Sequence, residues 1–200
     1  MFTLQTIKSR SFLYPIAVIV SLALLTSACS SEGETVTAEV TIEGEALPAW
    51  TSDGEDAAVG QVAPEITGTD MNGEPAAIKA DGRAKAIYFI AHWCRHCQDE
   101  VPVVADLIEK GEQPAELDIY AISTDVRGNQ GNFPPSEWLE KEGFQPPTIS
   151  DNGDNDALAS YGSGPFPYVV YLDADHKVVA RSAGQLSPDE IVDMWTKTAG

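Results

Sequence analysis

An apolar run that ends directly before a pair of cysteines constrains the fold more than any other part of this chain. Residues 84–91 read AKAIYFIA and residues 92–97 read HWCRHC. An apolar segment of strand length fits the centre of a sheet that is covered on both faces. An apolar pattern of helical spacing then runs from Val101 to Ile108 and ends at Gly111. The sequence therefore predicts a central strand that leads through the cysteines into a helix.

The two cysteines, Cys94 and Cys97, lie where this helix is expected to begin. Residues at that spacing share one face of a helix, with Cβ atoms about 5–6 Å apart, and disulfides join Cα atoms about 4.4–6.8 Å apart. The pair can therefore form and break a disulfide without moving the backbone. Cys94 would also lie against the positively polarised end of the helix, which stabilises a thiolate, the nucleophile of disulfide exchange. The pattern predicts a reactive dithiol.

Three other uses of a Cys-x-x-Cys pair fit the sequence less well. A zinc site needs four ligands at matching spacing. His92, His96 and His176, the histidines of the chain, do not supply them, so we expect no metal site. Haem attachment requires a histidine directly after the second cysteine, where this chain has Gln98. A purely structural disulfide would close too small a loop to restrict the unfolded chain much.

From Gly60 onward the sequence predicts alternating strands and helices. Two short strands flank a turn at Asn72-Gly73, and two later strands flank residues 174–176 as a hairpin with an exposed His176. A capping box at residues 187–190 starts the last helix. The predicted order is β-β-β-α-β-α-β-β-α, which is an α/β layer structure with a mixed sheet.

Several segments around the cysteines together form a more specific pattern. They are Ala63-Pro64, Asp70–Gly73, Trp93–Cys97, Glu100, Pro102 and Gly164–Pro167. Because of these features, the segment from about residue 60 to residue 198 resembles the thioredoxin fold. More narrowly, it resembles the extracytoplasmic thioredoxin-like proteins of the TlpA/ResA type. The resemblance implies a mixed central β-sheet flanked by helices, with an N-terminal β-hairpin. It also implies thiol–disulfide exchange with protein dithiols and disulfides, without a cofactor, in which the first cysteine attacks.

The resemblance also implies roles for residues near the dithiol. Phe166 and Pro167 match the segment that shapes the groove for the partner peptide, and Pro167 matches the cis-proline of the family. Glu100 matches an acidic residue three positions after the second cysteine, on the helical face of Cys97. A buried carboxylate there, with a raised pKa, could exchange a proton with the Cys97 thiol. Trp93 is expected to shield the dithiol.

The chain departs from the thioredoxin pattern at two places. Tyr88 stands on the central strand where many thioredoxins have a buried aspartate, which leaves Glu100 as the expected proton carrier. Arg95 and His96 separate the cysteines, and both cations are expected to favour the Cys94 thiolate. Because a stabilised thiolate makes a disulfide more oxidising, we expect a reduction potential above the thioredoxin value of about −270 mV.

The first residues have the features of an export signal. Two basic residues, an apolar run and small residues at its end predict such a signal over residues 1–28. The final Leu-Thr-Ser-Ala-Cys resembles a bacterial lipobox, which implies cleavage before Cys29 and a lipid on its thiol. A signal cut by the ordinary peptidase, which would give a secreted protein, and an uncleaved N-terminal anchor remain as alternatives.

Residues 29–59 are rich in acidic side chains and contain no lysine or arginine. They predict a flexible acidic tether, with an added edge strand from TVTAEVTI as the alternative. The thioredoxin-like domain would then span residues 60–200. We expect it on the extracytoplasmic face of the bacterial cell membrane, lipid-anchored and near a membrane redox partner.

The charge of the chain limits its partners. A net charge of −19 repels phosphates, so we expect no nucleic-acid binding. We also expect the protein to be a monomer. The predicted function is an extracytoplasmic thiol–disulfide oxidoreductase with Cys94 and Cys97 as its redox pair. One alternative is a peroxiredoxin-type peroxidase, against which the second cysteine and Ala91, where such enzymes carry threonine, both argue. The other is a non-catalytic thioredoxin-fold module that holds a partner or copper.

Overall fold

The computed structural model of the protein describes residues 38–200, so the predicted export signal and Cys29 lie outside the described residues. The strands in this range are β1 (Thr41–Glu43), β2 (Glu65–Thr69), β3 (Pro75–Ile78), β4 (Ala84–Ile90), β5 (Leu117–Ser123), β6 (Thr148–Ser150), β7 (Tyr168–Leu172) and β8 (Val178–Ala183). The helices are α1 (Arg95–Glu109), α2 (Pro135–Lys141), α3 (Asp156–Ser160) and α4 (Pro188–Ala199). None of these helices combines the length and the apolar character needed to cross a bilayer.

The strands form a central five-stranded sheet in the order β6-β5-β4-β7-β8 and a smaller sheet in the order β1-β2-β3. β4 runs parallel to β5 and antiparallel to β7, so the central sheet is mixed, as predicted. Every residue of β4 is buried, which confirms it as the central strand. β6, a three-residue edge strand, was not predicted, because so short a segment carries little periodicity.

Two hydrophobic cores cover the two faces of the central sheet. Helices α1 and α4 pack with α2 on one face, over a core that includes Cys97, Val104 and Trp195. The small sheet and α3 pack on the other face, over a core that includes Phe89 and Tyr161. The dithiol-bearing helix therefore rests directly on the central strand that precedes it.

The predicted ends of the helices are confirmed. α1 begins after Cys94 and is followed by Gly111, whose φ of +77° lies in the left-handed region that glycine adopts without strain. At the start of α4, the Ser187 hydroxyl accepts the Glu190 N–H and the Glu190 carboxylate accepts the Ser187 N–H. These interactions fix both helices relative to the strands that lead into them.

The N-terminal part of the described chain packs on the domain. Residues 41–43 form strand β1, which pairs with β2 in antiparallel register. Leu47 then donates its N–H to the carbonyl oxygen of Ser160, and Trp50 donates to that of Gly162, each at 2.8 Å. This segment therefore lies along the loop that follows α3.

An ion pair also attaches this segment to the domain, so the folded unit begins before residue 60, where it was predicted to begin. The Arg181 side chain on β8 is only 1% exposed and pairs with the Asp56 carboxylate. Its Nη1 also donates to the Pro48 carbonyl oxygen at 2.8 Å. Residues 41–58 are thus part of the folded unit rather than a free tether. The alternative of an added edge strand is correct for the start of this segment, where β1 forms. The local sequence did not reveal this, because the charged partner lies far along the chain.

The turn between β7 and β8 also differs from the prediction. His176 was expected to be exposed, but it is only 1% exposed, and neither ring nitrogen makes a hydrogen bond to a residue in the range 38–200. Burial lowers the pKa of this imidazole, and the positive charge of Lys85 lowers it further. The turn lies at the end of the central sheet away from the dithiol, so His176 takes no part in that site.

Candidate active site

Cys94 occupies the junction between β4 and α1. Its N–H donates to the Ala91 carbonyl oxygen at 2.9 Å, and its own carbonyl oxygen accepts the Gln98 N–H at 3.0 Å. The residue has extended backbone angles and is the N-cap of α1. Only 8% of it is exposed, at the surface where α1 begins. Its Sγ thus lies at the positively polarised helix end that the sequence predicted.

Cys97 lies on the inner side of the first turn of α1. It is fully buried, and the two sulfurs are not joined by a disulfide in this structure. Burial raises the pKa of the Cys97 thiol far above its ordinary value, and the nearby Cys94 and Glu100 raise it further. The two cysteines are therefore unequal, since Cys94 keeps a small exposed fraction while Cys97 has none and needs a base before it can react.

Glu100 follows Cys97 on the buried face of α1. Only 2% of the residue is exposed. Its Oε2 accepts the backbone N–H of Leu186 at 2.7 Å, and its Oε1 makes no hydrogen bond to any residue from 38 to 200. Burial raises the pKa of this carboxyl from its ordinary value of 4.5 to about 7, although the Leu186 hydrogen bond acts in the opposite direction. Glu100 can thus gain or lose a proton near neutral pH, beside the cysteine that must lose one.

The loop before β7 forms the other side of the site. The Phe166–Pro167 peptide bond is cis, and the Cys94 thiol points to the Phe166 carbonyl oxygen at 3.8 Å. Gly164 is required in this loop, because a Cβ there would lie 2.1 Å from the ring of Tyr168. The structure thus places the Phe166 carbonyl next to Cys94, with the cis bond to Pro167 directly after it.

The two residues between the cysteines are exposed and point away from the buried thiol. The Arg95 Nε–H donates to the Asp99 carboxylate at 3.0 Å, with 79% of the arginine side chain exposed. His96 Nδ1 lies 3.4 Å from the Gln185 side-chain oxygen. Asp99 compensates the charge of Arg95, and solvent screens what remains. The attraction that Arg95 was expected to exert on the Cys94 thiolate is correspondingly reduced.

Trp93 covers the site from the side of the loop that follows β5. Its Nε1–H donates to the Asp125 carbonyl oxygen at 2.8 Å. Its ring is in edge contact with Phe166, with centroids 6.2 Å apart, and the Arg127 guanidinium lies 3.9 Å from the ring centroid. Trp93 is therefore held in place by a hydrogen bond and a cation–π contact.

His92 fixes the same loop from inside. It is fully buried, its Nδ1 lies 2.7 Å from the Gly131 carbonyl oxygen, and its Nε2 accepts the Arg127 N–H at 3.0 Å. Because the Arg127 N–H can only donate, Nδ1 carries the proton and donates to Gly131. His92 is therefore a neutral bridge between the central strand and the loop, rather than a metal ligand.

The comparisons with known proteins agree with this architecture. The family model described as the AhpC/TSA family matches residues 59–181. This chain belongs to the AhpC/TSA family. The thiol-disulfide oxidoreductase ResA of Bacillus thuringiensis (strain Al Hakam) is 26% identical over 142 residues, which cover 70% of this chain and 78% of the relative.

Solved structures confirm the thioredoxin-like fold of this AhpC/TSA-family chain. The StoA protein of Bacillus subtilis superposes with a TM-score of 0.56 at 16% identity, over 70% of this chain and 98% of that protein. The thioredoxin domain of a thiol-disulfide oxidoreductase from Bacteroides vulgatus gives a TM-score of 0.57 at 24% identity, over 72% of this chain and 99% of that domain. Together with the ResA relative, these structures confirm the predicted resemblance to the TlpA/ResA-type proteins.

Two site residues of this AhpC/TSA-family domain were not predicted from the sequence. From the sequence, no role in the site was assigned to Arg127, and His92 was considered only as a metal ligand. The position of His92, between a buried strand and the dithiol, was the one available signal for a structural role. Within residues 38–200 there is no group of three or more side chains placed to hold a metal ion.

Proposed function

We propose that this AhpC/TSA-family protein is a thiol–disulfide oxidoreductase that exchanges disulfides with protein partners through Cys94 and Cys97. The unequal burial of the two cysteines carries the proposal. Cys94 keeps 8% of its surface exposed at a helix N-terminus, while Cys97 is fully buried within one helical turn and near Glu100. The name of the ResA relative supports the same activity.

In the reductive direction, the Cys94 thiolate attacks one sulfur of a partner disulfide. That bond breaks, a mixed disulfide with Cys94 forms, and the other partner sulfur leaves as a thiolate that takes a proton from water. Glu100 then removes the proton of Cys97, whose thiolate attacks the Cys94 sulfur. The Cys94–Cys97 disulfide forms, the second partner sulfur leaves, and two electrons have passed to the partner. The oxidative direction reverses these steps.

Phe166 and Pro167 are proposed to bind the partner backbone next to Cys94. The Phe166 carbonyl oxygen lies 3.8 Å from the attacking sulfur, and the cis bond to Pro167 follows directly. Trp93 is proposed to exclude water from the mixed disulfide, with Arg127 holding its ring in place. Arg95 and His96 are proposed to modulate the thiolate only weakly, because both are exposed.

Reduction of insulin disulfides in the presence of dithiothreitol tests the activity. We expect the protein to accelerate the reaction, Cys94→Ser to abolish the acceleration, and Cys97→Ser to accumulate mixed disulfides visible on a non-reducing gel. An active Cys94→Ser variant would contradict the assignment. Consumption of hydrogen peroxide at a higher rate than insulin reduction would favour the peroxidase, and a stable copper complex without exchange activity would favour the binding module.

The cellular location is a second part of the proposal. The predicted signal and lipobox support export and lipid attachment at Cys29, which would place the domain on the extracytoplasmic face of the membrane. Radiolabelled palmitate supplied to bacteria that express the full chain tests this. We expect the label on the wild-type protein and none on Cys29→Ser. An unlabelled wild-type protein in the culture medium would instead indicate ordinary secretion.

A further inference from the structure

His92 lies two positions before Cys94 and joins the end of the central strand to the loop that follows β5. The residue is fully buried, and both nitrogens of its ring are hydrogen-bonded to the backbone of that loop. Nδ1 donates to the Gly131 carbonyl oxygen at 2.7 Å, and Nε2 accepts the Arg127 N–H at 3.0 Å. One imidazole therefore holds the loop at two points four residues apart.

The loop from residue 125 to residue 132 contains no helix or strand. Asp125 and Asn132 have φ angles of +47° and +61°, which residues other than glycine seldom adopt. The Asp125 N–H donates to the Asn155 side-chain oxygen at 2.7 Å, and the Asn132 side chain donates to the His92 carbonyl oxygen at 3.4 Å. The shape of this loop therefore depends on side-chain hydrogen bonds, and those of His92 are among them.

The same loop holds the Trp93 ring at two places. The Asp125 carbonyl oxygen accepts the indole N–H at 2.8 Å, and the Arg127 guanidinium lies 3.9 Å from the ring centroid. The Asp125 carboxylate accepts two hydrogen bonds from the Arg127 side chain, at 2.6 and 3.1 Å, which fix the guanidinium over the ring. Arg127 thus contacts His92 through its backbone and Trp93 through its side chain.

Trp93 in turn lies beside the reactive sulfur. Trp93 and Phe166 both pack against the hydrophobic core that includes Cys94, and their rings are in edge contact with centroids 6.2 Å apart. Cys94 keeps only 8% of its surface exposed, so a small displacement of the Trp93 ring would change how much of the sulfur a reagent can reach. The hydrogen bonds of His92 therefore influence access to Cys94 through the loop and Trp93.

We propose that His92 is a positioning residue for disulfide exchange, which fixes the loop over Trp93 so that the ring shields Cys94. The backbone at Phe166 and Pro167 is left for a protein partner to bind. A small disulfide has no such surface to bind and depends on direct access to the sulfur, so the shield selects protein disulfides over small ones. The inference rests on the proposed function and assigns its substrate preference.

Alkylation of the reduced protein by iodoacetamide measures access to each sulfur. Trypsin cuts after Arg95, so Cys94 and Cys97 fall on separate peptides, and mass spectrometry gives a rate for each. His92→Phe removes both hydrogen bonds of the side chain and keeps a ring. His176→Phe is the matched control, since it replaces another buried histidine at the end of the sheet away from the dithiol.

A hydrogen bond of this kind shifts a local equilibrium by about two- to tenfold. We therefore expect His92→Phe to speed the alkylation of Cys94 by about fivefold or more, with the rate at Cys97 within about twofold of wild type. The His176→Phe control should leave both rates within about twofold. Reaction with bis(2-hydroxyethyl) disulfide should accelerate by a similar factor, whereas reaction with insulin should not. A merely structural loss would expose both cysteines alike.

Conservative variants separate the two hydrogen bonds. His92→Gln keeps an acceptor for the Arg127 N–H, and His92→Asn keeps a donor to the Gly131 carbonyl oxygen. Both should react at rates between those of wild type and His92→Phe. Arg127→Ala keeps its backbone N–H but removes the guanidinium from Trp93, so it should also speed the alkylation of Cys94. The double variant with His92→Phe should be no faster than the faster single variant, because both changes release the same ring.

Three results would overturn the inference. They are a Cys94 alkylation rate of His92→Phe within about twofold of wild type, an equal rise at Cys94 and Cys97, and an equal acceleration with insulin and with the small disulfide. If His92→Phe does not fold, His92→Asn decides by the same criteria. A wild-type protein that reduces no insulin would instead refute the proposed function. Alkylation needs no such activity, so the two failures are distinguishable.

Discussion

Replacing Glu100 by glutamine should change how the stability of the domain depends on pH. The folded carboxyl has its pKa raised from 4.5 to about 7, so the folded state binds this proton more tightly than the unfolded state. The contribution of this proton to the free energy of unfolding is fully present below about pH 4.5 and is lost as the pH rises through about 7. Because a tenfold change in affinity corresponds to about 1.4 kcal/mol, the whole effect is about 3 kcal/mol.

The Glu100→Gln variant removes this titration but keeps the shape of the side chain. Relative to wild type, its free energy of unfolding should rise by about 2–3 kcal/mol between pH 5 and pH 8. The hydrogen bonding of the buried amide contributes equally at every pH, so the change of this difference with pH reports the titration of Glu100. The attack of Cys97 on the mixed disulfide should slow by about 100-fold or more at neutral pH.

Urea unfolding of the reduced protein, followed by circular dichroism at each pH, measures the difference. Glu109→Gln is the matched control, since Glu109 is an exposed glutamate at the other end of α1. We expect its difference from wild type to stay within about 0.5 kcal/mol across the range. Parallel pH profiles for wild type and Glu100→Gln would show that the folded state does not raise the pKa of Glu100, and would remove the base from the mechanism.

Three further outcomes follow from the contacts described above. Arg95→Ala should shift the reduction potential by less than about 20 mV, because an exposed ion pair contributes at most about 1 kcal/mol; a larger shift in glutathione equilibration would restore the role expected from the sequence. Gly164→Ala should lower the free energy of unfolding by about 1–3 kcal/mol in urea, since its Cβ would meet the Tyr168 ring, and unchanged stability would contradict that contact. Arg181→Met should cost about 3–5 kcal/mol, because it leaves the Asp56 carboxylate without its partner, and a loss below about 1 kcal/mol would indicate that residues 41–58 do not depend on this pair.

The features of the fold that could be predicted are those that depend on residues close together in the sequence. The apolar run of β4, the cysteine spacing and the capping box at Ser187 each depend on residues within about one helical turn or one strand. Glu100 was singled out by the family resemblance, and its spacing from Cys97 agreed with it, because that spacing places both residues on one helical face. For these features, local periodicity and the folded structure agree.

The features that were missed depend on partners far apart in the chain. Arg127 reaches Trp93, and Arg181 reaches Asp56, across separations that no local pattern encodes. His176 follows a polar turn, which indicated exposure, yet tertiary packing buries it.

The packing of the N-terminal segment has a consequence for how far the dithiol can travel from a membrane. A tether of residues 30–59 would span at most about 100 Å when fully extended. With residues 41–58 attached to the domain, only residues 30–40 remain between a lipid on Cys29 and the folded unit, and they span at most about 40 Å. A domain anchored in this way would meet partners that are embedded in the same membrane or lie close above it, and it could not reach substrates deeper in the surrounding space.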